Sequence, residues 1–435
     1  MSAWTGVAVG TAVIGYALVS RPLGRSVVSA PMVFLGVGLG LGPLGFDLFS
    51  LATSPEPIRI LLELTLVLVL FTDAVTVRSG ALRRVEFLPV RLLGIGLPLT
   101  IGLGWLVAWP LLPGLTVWEL ALVGVILAPT DAALGQAAIA DPGVPSLVRQ
   151  GLNVESGLND GMSLPFFLIF LAAVAEPHGT GPGPLEVFLR ALVLSTVLGG
   201  GVGWVVGRAL GAARASGWIG DRWRQILVVA TALTGYYLAV AVEGSGFIAA
   251  WVAGLAFGIT QRGTAGAEGV GDPAGASRRE RDLSRSTDFA EDLGRVLTML
   301  SFLVFGAVLL GPVLEHLTWR PVVYALLSLT VIRTVPVVLS LRGSGLCRPT
   351  EAYIAWFGPR GLASIVLGLI VLAEGVPGVG LVTQTVAVTV GMSIVAHGAT
   401  AVPLASGYAR WYERAAGTRP GLREASAKAA TPADR

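Results

Sequence analysis

The stretch NVESGLNDG at residues 153–161 contains two carboxylates, a serine and two amides, and it runs directly into MSLPFFLIFLAAV at residues 162–174. The second stretch predicts a membrane-spanning helix, because crossing a bilayer takes about 20 predominantly apolar residues. Charged groups are costly in such a helix and usually mark an ion path or an ion pair. Together the two stretches predict a membrane helix whose first turns carry functional side chains.

The composition extends this prediction to the whole chain. Of its 435 residues, 54% are hydrophobic and only 13% are charged, whereas soluble domains carry about 25% charged residues. The single cysteine excludes a disulfide framework and a metal site built from cysteines. The first residues lack a basic region and a small-residue cleavage site, so we expect a retained first span rather than a signal peptide.

Apolar runs of spanning length recur along the chain and are separated by Pro, Gly and Arg. They predict an all-α polytopic membrane protein with about 13 transmembrane helices. The second and ninth runs are the shortest. The predicted spans lie near residues 3–20, 27–43, 58–77, 88–111, 117–139, 152–174, 184–207, 224–242, 245–260, 292–312, 319–341, 350–373 and 379–406.

The distribution of basic residues sets the expected orientation. With the N-terminus outside and the C-terminus in the cytoplasm, most of the 30 Lys and Arg residues lie on the inner side, and only Arg59, Arg190 and Arg320 lie on the outer side. Cytoplasmic loops of membrane proteins carry an excess of Lys and Arg. An even number of spans would break this alternation of charge, so the charges support an odd count. We expect a multi-pass protein of the cell (plasma) inner membrane.

Two segments mix Gly, Ala and charge without an apolar helical period. They are residues 261–291 and the tail after about residue 407. Such composition is typical of mobile segments, and we expect a cytoplasmic loop and a cytoplasmic tail. A plain linker is the simpler interpretation of each segment, and a regulatory role is the alternative.

Seven charged residues fall inside predicted spans, away from the ends at which a side chain reaches water. A charge at mid-bilayer costs at least about 2.5–3.5 kcal/mol, so each of them must face a cavity or a partner. Buried ion pairs that only fix packing would account for some, but five acids against two bases leave at least three acids without a basic partner. The seven are Glu63, Asp73, Asp131, Glu155, Asp160, Arg333 and Arg360.

Helical geometry separates the acids of the opening stretch. At about 100° per residue, Ser156 and Asp160 share one face, and Glu155 and Asn159 share the neighbouring face. The two carboxylates point about 140° apart. We therefore expect one of them to face a water-filled path and the other to face a partner in the protein.

The eleventh and third spans hold three further charged residues of the predicted membrane region. Arg333, near the middle of the eleventh span, needs an anion, and Glu155 is the natural candidate. Asp73 lies near the inner end of the third span and is expected to line the cytoplasmic approach. Glu63 lies closer to the outer end of that span, where solvation is sufficient to explain it.

Two spans combine a proline with a buried charge. The fifth contains LAPTDAALG (127–135) and the twelfth contains WFGPRGLAS (356–364). Proline disrupts a helix, and spans seven apart run in opposite directions. Asp131 at one break and Arg360 at the other would balance the partial charges of the half-helix ends. This pattern is typical of inverted repeats with broken helices that cross near the midplane, and two ordinary proline kinks are the alternative.

Four motifs occur in an order and spacing that resemble a known family. APTDAA (128–133), ESGLNDG (155–161), an arginine in the eleventh span and GPRGLASIVL (358–367) resemble the Na+/H+ exchanger family, specifically its bacterial NhaP-like branch. The resemblance covers nearly the whole membrane region, from about residue 30 to 400. The two acidic motifs are quite specific together, and either one alone would be moderately specific.

The resemblance implies a site for a cation and a proton within the membrane. Asp160 would be the carboxylate that binds either ion. Asp131, Thr130 and Ser156 would complete the ligands of the metal cation. Asn159 would belong to the site as in the electroneutral branch, since electrogenic relatives resemble this site but carry a second Asp there.

Further roles follow from the same resemblance. Glu155 would form a structural ion pair with Arg333, and Arg360 would stabilise the crossing helix ends. Asp73 would be an acid of the ion path. Two departures leave the preferred cation open, because Ala132 stands where the family often has Pro, and Asp73 stands where it often has Glu.

The implied function is that of a secondary active antiporter, which is not an enzyme and has no cofactor. It would exchange Na+ (or Li+) for H+ by alternating access, with the two ions competing at Asp160. One-for-one exchange would be electroneutral. A K+/H+ or Ca2+/H+ antiporter of the same fold is the main alternative.

The resemblance also implies core helices that move against a scaffold, and a homodimer formed through that scaffold in the lipid membrane. Small cations are the expected substrates, and no nucleic-acid partner is expected. The predicted boundaries are 1–87 and 184–312 for the scaffold, with the cytoplasmic loop 261–291, then 88–174 and 319–406 for the core, and 407–435 for the cytoplasmic tail.

Functions from other classes fit the chain less well. The glycine runs at 36–42 and 198–207 lack the strand context of a nucleotide-binding loop and predict close helix contacts instead. An intramembrane hydrolase would need a serine with a histidine or a pair of carboxylates, but the only intramembrane histidine, His397, has no evident partner motif. A purely regulatory sensor on the same fold would show no ion flux.

Overall fold

Helices account for the regular structure of the described part of the chain. The computed structural model describes residues 3–23, 26–48, 55–76, 87–131, 133–175, 183–263, 273–418 and 422–425, and no strand is assigned within these ranges. Because a bilayer offers no partner to backbone N–H and C=O groups, helices that satisfy these groups internally are the expected solution.

Several predicted spans consist of two consecutive helices. A π-helical turn at Leu92–Gly96 interrupts the helix Phe87–Leu111, and another at Gly306–Leu310 links the helix Pro273–Phe305 to the short helix Gly311–Glu315. The helices in chain order are α1 (Ala3–Leu23), α2 (Ala30–Leu41), α3 (Pro55–Thr76), α4 (Phe87–Leu111), α5 (Val117–Ile126), α6 (Gln136–Ala140), α7 (Ser146–Ala175), α8 (Pro184–Ala215), α9 (Asp221–Val240), α10 (Gly246–Gly263), α11 (Pro273–Phe305), α12 (Trp319–Leu329), α13 (Val331–Leu341), α14 (Arg348–Trp356), α15 (Leu362–Ala373) and α16 (Val379–Thr418).

Within the described residues, seven helical stretches are long and apolar enough to cross a membrane by length and composition. The shorter apolar helices α2, α5 and α15 lie within three further predicted spans. The expected all-α polytopic class is confirmed, and the count of 13 spans stays a prediction. The seven stretches are Trp4–Leu23, Phe87–Leu111, Ser146–Val174, Phe188–Ala215, Leu283–Glu315, Trp319–Leu341 and Val379–Thr418.

The chain divides into two compact units. An apolar cluster in the first unit joins α4, α7, α13, α14 and α16 around side chains such as Leu88, Val148 and Ile354. An apolar cluster in the second unit joins the five helices α3, α8, α9, α10 and α11. The predicted scaffold and core boundaries stay a prediction. The first unit comprises Met1–Arg59, Gly80–Ser163 and Met299–Arg435, and the second comprises Ile60–Ser79 and Leu164–Thr298.

Glycine allows α8 and α10 to pack closely in the second unit. A methyl group on Gly199 or Gly203 would overlap the backbone of Ala249 or Ala253, respectively. In the first unit, Gly38 approaches the backbone of the C-terminal end of α11 in the same way. These contacts confirm the close helix packing that both glycine runs predict.

Helix α10 ends and helix α11 begins inside the segment predicted as a mobile cytoplasmic loop. The prediction of a mobile segment without a helix was therefore wrong for residues 261–263 and 273–291, while its cytoplasmic location stays a prediction. Proline is favoured in the first turn of a helix, and Pro273 occupies it here. Leu283, Ala290 and Leu297 lie seven residues apart and pack in the apolar cluster of the second unit. This spacing marks one face of a helix, and the high charge of the segment obscured it.

Helix α16 continues to Thr418, beyond the residue at which a mobile tail was predicted. Aromatic packing explains the extension. The ring centroids of Tyr408 and Trp411 are 5.4 Å apart, and those of Tyr408 and Tyr353 are 4.4 Å apart. The rest of the predicted loop and tail lies outside the described residues, at 264–272, 419–421 and 426–435.

A short turn at Arg423–Ala425 lies against the N-terminus of α14. The buried carboxylate of Glu424 accepts hydrogen bonds from the backbone N–H of Cys347 and the hydroxyl of Thr350, each at 2.8 Å. Cys347 is the N-cap residue of α14 and supplies no side-chain cap of its own. Since the first N–H groups of a helix need external partners, Glu424 supplies the missing cap.

Candidate functional site

Both proline-containing spans are interrupted in the structure. α5 ends at Ile126 and α6 begins at Gln136, whereas α14 ends at Trp356 and α15 begins at Leu362. The described residues between these ends are not helical. Each interruption leaves backbone N–H and C=O groups without helical partners, and the partners that they find build the site.

Asp131 pairs the two breaks. Its backbone N–H donates to the carbonyl oxygen of Pro359 at 2.8 Å. Its Oδ2 accepts from the backbone N–H of Leu362 at 2.9 Å, and its Oδ1 accepts from that of Ala133 at 2.8 Å. Leu362 is the first residue of α15, where the partial positive charge of a helix N-terminus favours a carboxylate.

Arg360 and Ser364 bind carbonyl oxygens at the same breaks. The guanidinium of Arg360 is fully buried, and its Nη1 donates to the carbonyls of Gly358 at 3.0 Å and Pro129 at 3.4 Å. The hydroxyl of Ser364 donates to the carbonyl of Ile126, the last residue of α5, at 2.7 Å. The acid therefore lies at a helix N-terminus and the base lies against carbonyls, as the sequence pattern predicts; whether Arg360 stabilises the crossing stays a prediction.

Two glycines permit the close approach of these groups. A methyl group on Gly361 would overlap the carboxylate of Asp131, and one on Gly358 would overlap the guanidinium of Arg333. Sequence reasoning identified the proline and the charge of GPRG but missed the need for its glycines, and it also missed Ser364. The two glycines that flank Pro-Arg were the available signal.

Residues 153–161 of α7, the stretch NVESGLNDG, hold Thr130 in the fifth-span break. The hydroxyl of Ser156 donates to the carbonyl of Thr130, and Nδ2 of Asn159 donates to its hydroxyl, each at 2.6 Å. Asn159 therefore acts with Ser156, since residues three apart lie only about 60° apart around a helix. Oδ1 of Asn159 is buried and has no hydrogen-bond partner among the described residues.

Asp160 follows on the same helix, four residues after Ser156, and is 9% exposed. The structure thus brings Ser156, Asn159, Thr130 and Asp131 together at the fifth-span break, with Asp160 adjacent on α7. No group of three His, Cys, Asp or Glu residues that could hold a metal ion occurs in the part of the chain described. The available ligands are a mixture of carboxylate, hydroxyl, amide and carbonyl oxygens, which suits hard cations.

Glu155 points away from this group and meets Arg333. Nη1 of Arg333 lies 2.6 Å from Oε1 of Glu155, and Nη2 lies 2.9 Å from Oε2. The side chains are only 5% (Arg333) and 3% (Glu155) exposed. Such a bidentate pair satisfies both buried charges, so the pairing expected from the sequence is present, while its purely structural role stays a prediction.

The two acids of α3 lie in the second unit. Oε2 of Glu63 accepts a hydrogen bond from the hydroxyl of Tyr236 at 3.1 Å, so this acid has a protein partner. Asp73 is partly exposed, and its carbonyl accepts from the hydroxyl of Thr76 at 2.8 Å. The part of Asp73 in the ion path stays a prediction.

The fold and the paired breaks define a polytopic membrane protein of the secondary-transporter type, in which broken helices carry buried charges. The family model "Sodium/hydrogen exchanger, transmembrane" matches residues 9–407. The chain therefore belongs to the sodium/hydrogen exchanger family, which confirms the resemblance found in the motifs.

The chain is also similar to a solved structure and to named relatives. The structure of the sodium proton antiporter MjNhaP1 from Methanocaldococcus jannaschii is 20% identical, covers 93% of this chain and 98% of that chain, and has a TM-score of 0.73, so the two share a fold. The K(+)/H(+) antiporter NhaP of Alkalimonas amylolytica is 26% identical over 404 residues, which is 91% of this chain and 64% of that protein.

The second relative is the K(+)/H(+) antiporter NhaP2 of Shewanella baltica (strain OS223). It is 24% identical over 378 residues, which is 85% of this chain and 60% of that protein. The chain thus spans less than two thirds of the length of both named relatives.

Proposed function

We propose that this protein exchanges a monovalent cation for H+ across the membrane, with Na+ (or Li+) as the cation. The observation that carries the proposal is the position of Asp160. It is buried on α7 directly after Asn159 and one turn after Ser156, the two residues that bind Thr130 in the fifth-span break. A carboxylate next to such polar groups inside a membrane marks an ion path.

Competition at Asp160 explains exchange without a separate gate for each ion. An ionised carboxylate attracts a cation, and the same carboxylate loses that attraction when it takes up a proton. Asp131, Thr130 and Ser156 would supply further oxygens to the bound cation. The site would cross in one direction with the cation bound and return with the proton bound, so each cycle of alternating access would exchange one ion for the other.

Asn159 supports electroneutral exchange. It occupies the position directly before Asp160 and carries no charge, so one carboxylate would alternate between one cation and one proton. Its buried Oδ1, which has no hydrogen-bond partner among the described residues, is a further oxygen for the cation. We propose one-for-one stoichiometry on this ground.

K+/H+ exchange is the second candidate, because both named relatives are called K(+)/H(+) antiporters, whereas the structural relative is called a sodium proton antiporter.

We further propose that the protein is a homodimer of the cell (plasma) inner membrane. Its C-terminus would lie in the cytoplasm, core helices would move against a scaffold, and Asp73 would line the cytoplasmic approach.

Proteoliposomes that contain the purified protein test the proposal. Proton flux is measured with a pH-sensitive dye after addition of Na+, Li+, K+ or Ca2+. We expect Asp160→Asn to abolish cation-driven proton flux, because an amide neither binds nor releases the exchanged proton. Asp292→Asn is the matched control, since Asp292 is exposed and its replacement should leave the flux unchanged.

The same assay decides between the candidates. Flux with Na+ and Li+ but not K+ supports the first, flux with K+ alone supports the second, and flux with Ca2+ alone contradicts a monovalent site. Undiminished exchange by a folded Asp160→Asn protein would overturn the assignment of Asp160. Flux that creates a membrane potential would contradict electroneutral exchange.

A further inference from the structure

His397 is a buried residue that the proposed exchange does not use. It lies on α16 and is 1% exposed. Its Nε2 is 2.9 Å from the carbonyl oxygen of Trp356, and its Nδ1 lies 3.0 Å from the carbonyl oxygen and 3.2 Å from the hydroxyl oxygen of Ser393. The rings of His397 and Trp356 are stacked, with centroids 5.1 Å apart.

The surroundings select one tautomer of this histidine. The carbonyl of Trp356 only accepts, so Nε2 must carry the proton. Nδ1 lies near both the hydroxyl and the carbonyl of Ser393. A neutral ring has only one N–H, so in a ring protonated on Nε2 the hydroxyl of Ser393 donates to Nδ1. That hydroxyl oxygen in turn accepts from the backbone N–H of Arg360 at 2.7 Å. An imidazolium would place a second buried cation near the Arg360 side chain, which is unfavourable.

This chain of hydrogen bonds binds both sides of the twelfth-span break. Trp356 is the last residue of α14, and Arg360 lies in the non-helical segment before α15. The break leaves the Trp356 carbonyl and the Arg360 N–H without helical partners. Inside the break the Trp356 carbonyl also accepts from the backbone N–H of Gly358 at 2.8 Å. The Arg360 N–H is bound by Ser393, and leaving it unpaired in the membrane interior would be costly. On the same face of α16, the hydroxyl oxygen of Thr400 accepts a hydrogen bond from the indole N–H of Trp356 at 3.0 Å.

The segment held in this way forms one wall of the proposed ion site. Pro359 lies between the two held positions, and its carbonyl accepts from the backbone N–H of Asp131 at 2.8 Å. Thr130, the neighbour of Asp131, is bound by Ser156 and Asn159. A shift of the break would therefore move Asp131 and Thr130 relative to α7.

We propose that His397, as the neutral Nε2–H tautomer, is a positioning residue for cation binding. Together with Ser393 it clamps the break of the twelfth span and thereby sets the position of Asp131 and Thr130. The inference rests on the proposed function, because it assigns these two residues to the cation site. His397 itself contacts no transported ion.

Exchange kinetics in proteoliposomes test the clamp. We expect His397→Leu and Ser393→Ala to raise the apparent KM for the cation roughly tenfold, the factor expected when a buried backbone group loses a hydrogen bond, with a smaller change in maximal rate. Thr389→Val is the matched control, since Thr389 is also fully buried on α16, and among the described residues its hydroxyl bonds only to the carbonyl of Thr385.

A conservative variant separates positioning from general stability. The amide of His397→Gln supplies an N–H to the Trp356 carbonyl, so we expect it to restore most of the cation affinity that His397→Leu loses. If all variants lowered only the melting temperature and kept the wild-type KM, the role would be merely structural and the inference would be wrong. A wild type without exchange of any cation would instead refute the proposed function, and the inference with it.

The tautomer provides a test that does not depend on the folding of variants at position 397. The chain has three histidines, so His178→Gln and His316→Gln leave His397 as the single 15N-histidine signal. We expect a protonated Nε2 and an unprotonated, hydrogen-bonded Nδ1 at neutral pH. A neutral ring protonated on Nδ1 would overturn the clamp, because Nε2 could not donate to the Trp356 carbonyl. An imidazolium would overturn the proposed neutral state.

Discussion

Glu155 and Asp160 are five residues apart on α7 and have different surroundings. Glu155 is neutralised by the two hydrogen bonds from Arg333, whereas Asp160 follows the residues that hold the fifth-span break. Helical phase alone predicted that the two would point apart. The two carboxylates should therefore respond differently to mutation, one in stability and the other in exchange.

Loss of Glu155 should mainly destabilise the protein. Glu155→Ala leaves the Arg333 guanidinium buried without an anion, which costs about 3–5 kcal/mol in comparable cases. We expect a markedly lower melting temperature in detergent, while the residual folded protein keeps its order of preference among cations.

A second substitution serves as the control for this pair. The double variant Glu155→Ala with Arg333→Leu removes both buried charges, so we expect it to regain much of the lost stability. A Glu155→Ala protein that melts like the wild type but prefers another cation would contradict a structural role.

At the scale of elements, the breaks in the fifth and twelfth spans depend on small residues as much as on charges. Gly361 leaves room for the carboxylate of Asp131, and Gly358 leaves room for the guanidinium of Arg333. Because these neighbours are buried and hydrogen-bonded, they have little freedom to move. The two glycines are therefore a packing requirement of the paired breaks.

Gly361→Ala tests this requirement. The added methyl group would displace the Asp131 carboxylate from its bond to the N–H of Leu362, and overpacking of this kind costs about 1–3 kcal/mol. We expect lower stability and strongly reduced exchange. Gly102→Ala in α4 is the control, since open space surrounds that position, and wild-type behaviour of Gly361→Ala would contradict the packing argument.

The N-terminal cap that Glu424 provides for α14 lies outside the two breaks and leads to a separate prediction. Glu424→Ala removes the acceptor for the N–H of Cys347, and loss of a helix cap costs about 1 kcal/mol. We expect a small drop in melting temperature, and Glu424→Gln should lie between this variant and the wild type. Glu413→Ala is the control, since Glu413 is exposed near the end of α16; an equal drop in the control would contradict a specific cap.

At the scale of the whole molecule, the proposed orientation in the membrane rests on the basic residues rather than on any contact. The predicted topology places the connection between α13 and α14 in the cytoplasm. Its last residue is Cys347, the single cysteine of the chain, and it is partly exposed. The protein thus carries a natural probe of its own topology.

Labelling of Cys347 tests the orientation. A membrane-impermeant maleimide should label it in inside-out vesicles and not in intact cells or right-side-out vesicles. For the control, Glu374→Cys in a Cys347→Ser background places the thiol in the connection after α15, which is predicted to lie outside and is exposed. Labelling of Cys347 from the outside would reverse the proposed topology.

The sequence alone determined the helical class, the family and the candidate ion-site residues, because these depend on local properties. Apolar length defines a span, proline interrupts it, and 100° per residue separates neighbouring faces. The same local logic failed for residues 273–291, because the charged residues between Leu283, Ala290 and Leu297 concealed an apolar face that becomes visible only when it packs.

Only the tertiary structure decided which groups meet across the breaks. Asp131 receives the first N–H of α15, Gly361 makes room for it, Ser364 binds the end of α5, and His397 binds the end of α14. These partners lie up to about 240 residues apart along the chain. Hydrogen bonds of broken helices are directional and short-ranged, so no sequence period records them, and the packing of α5, α14, α15 and α16 is what selects each partner.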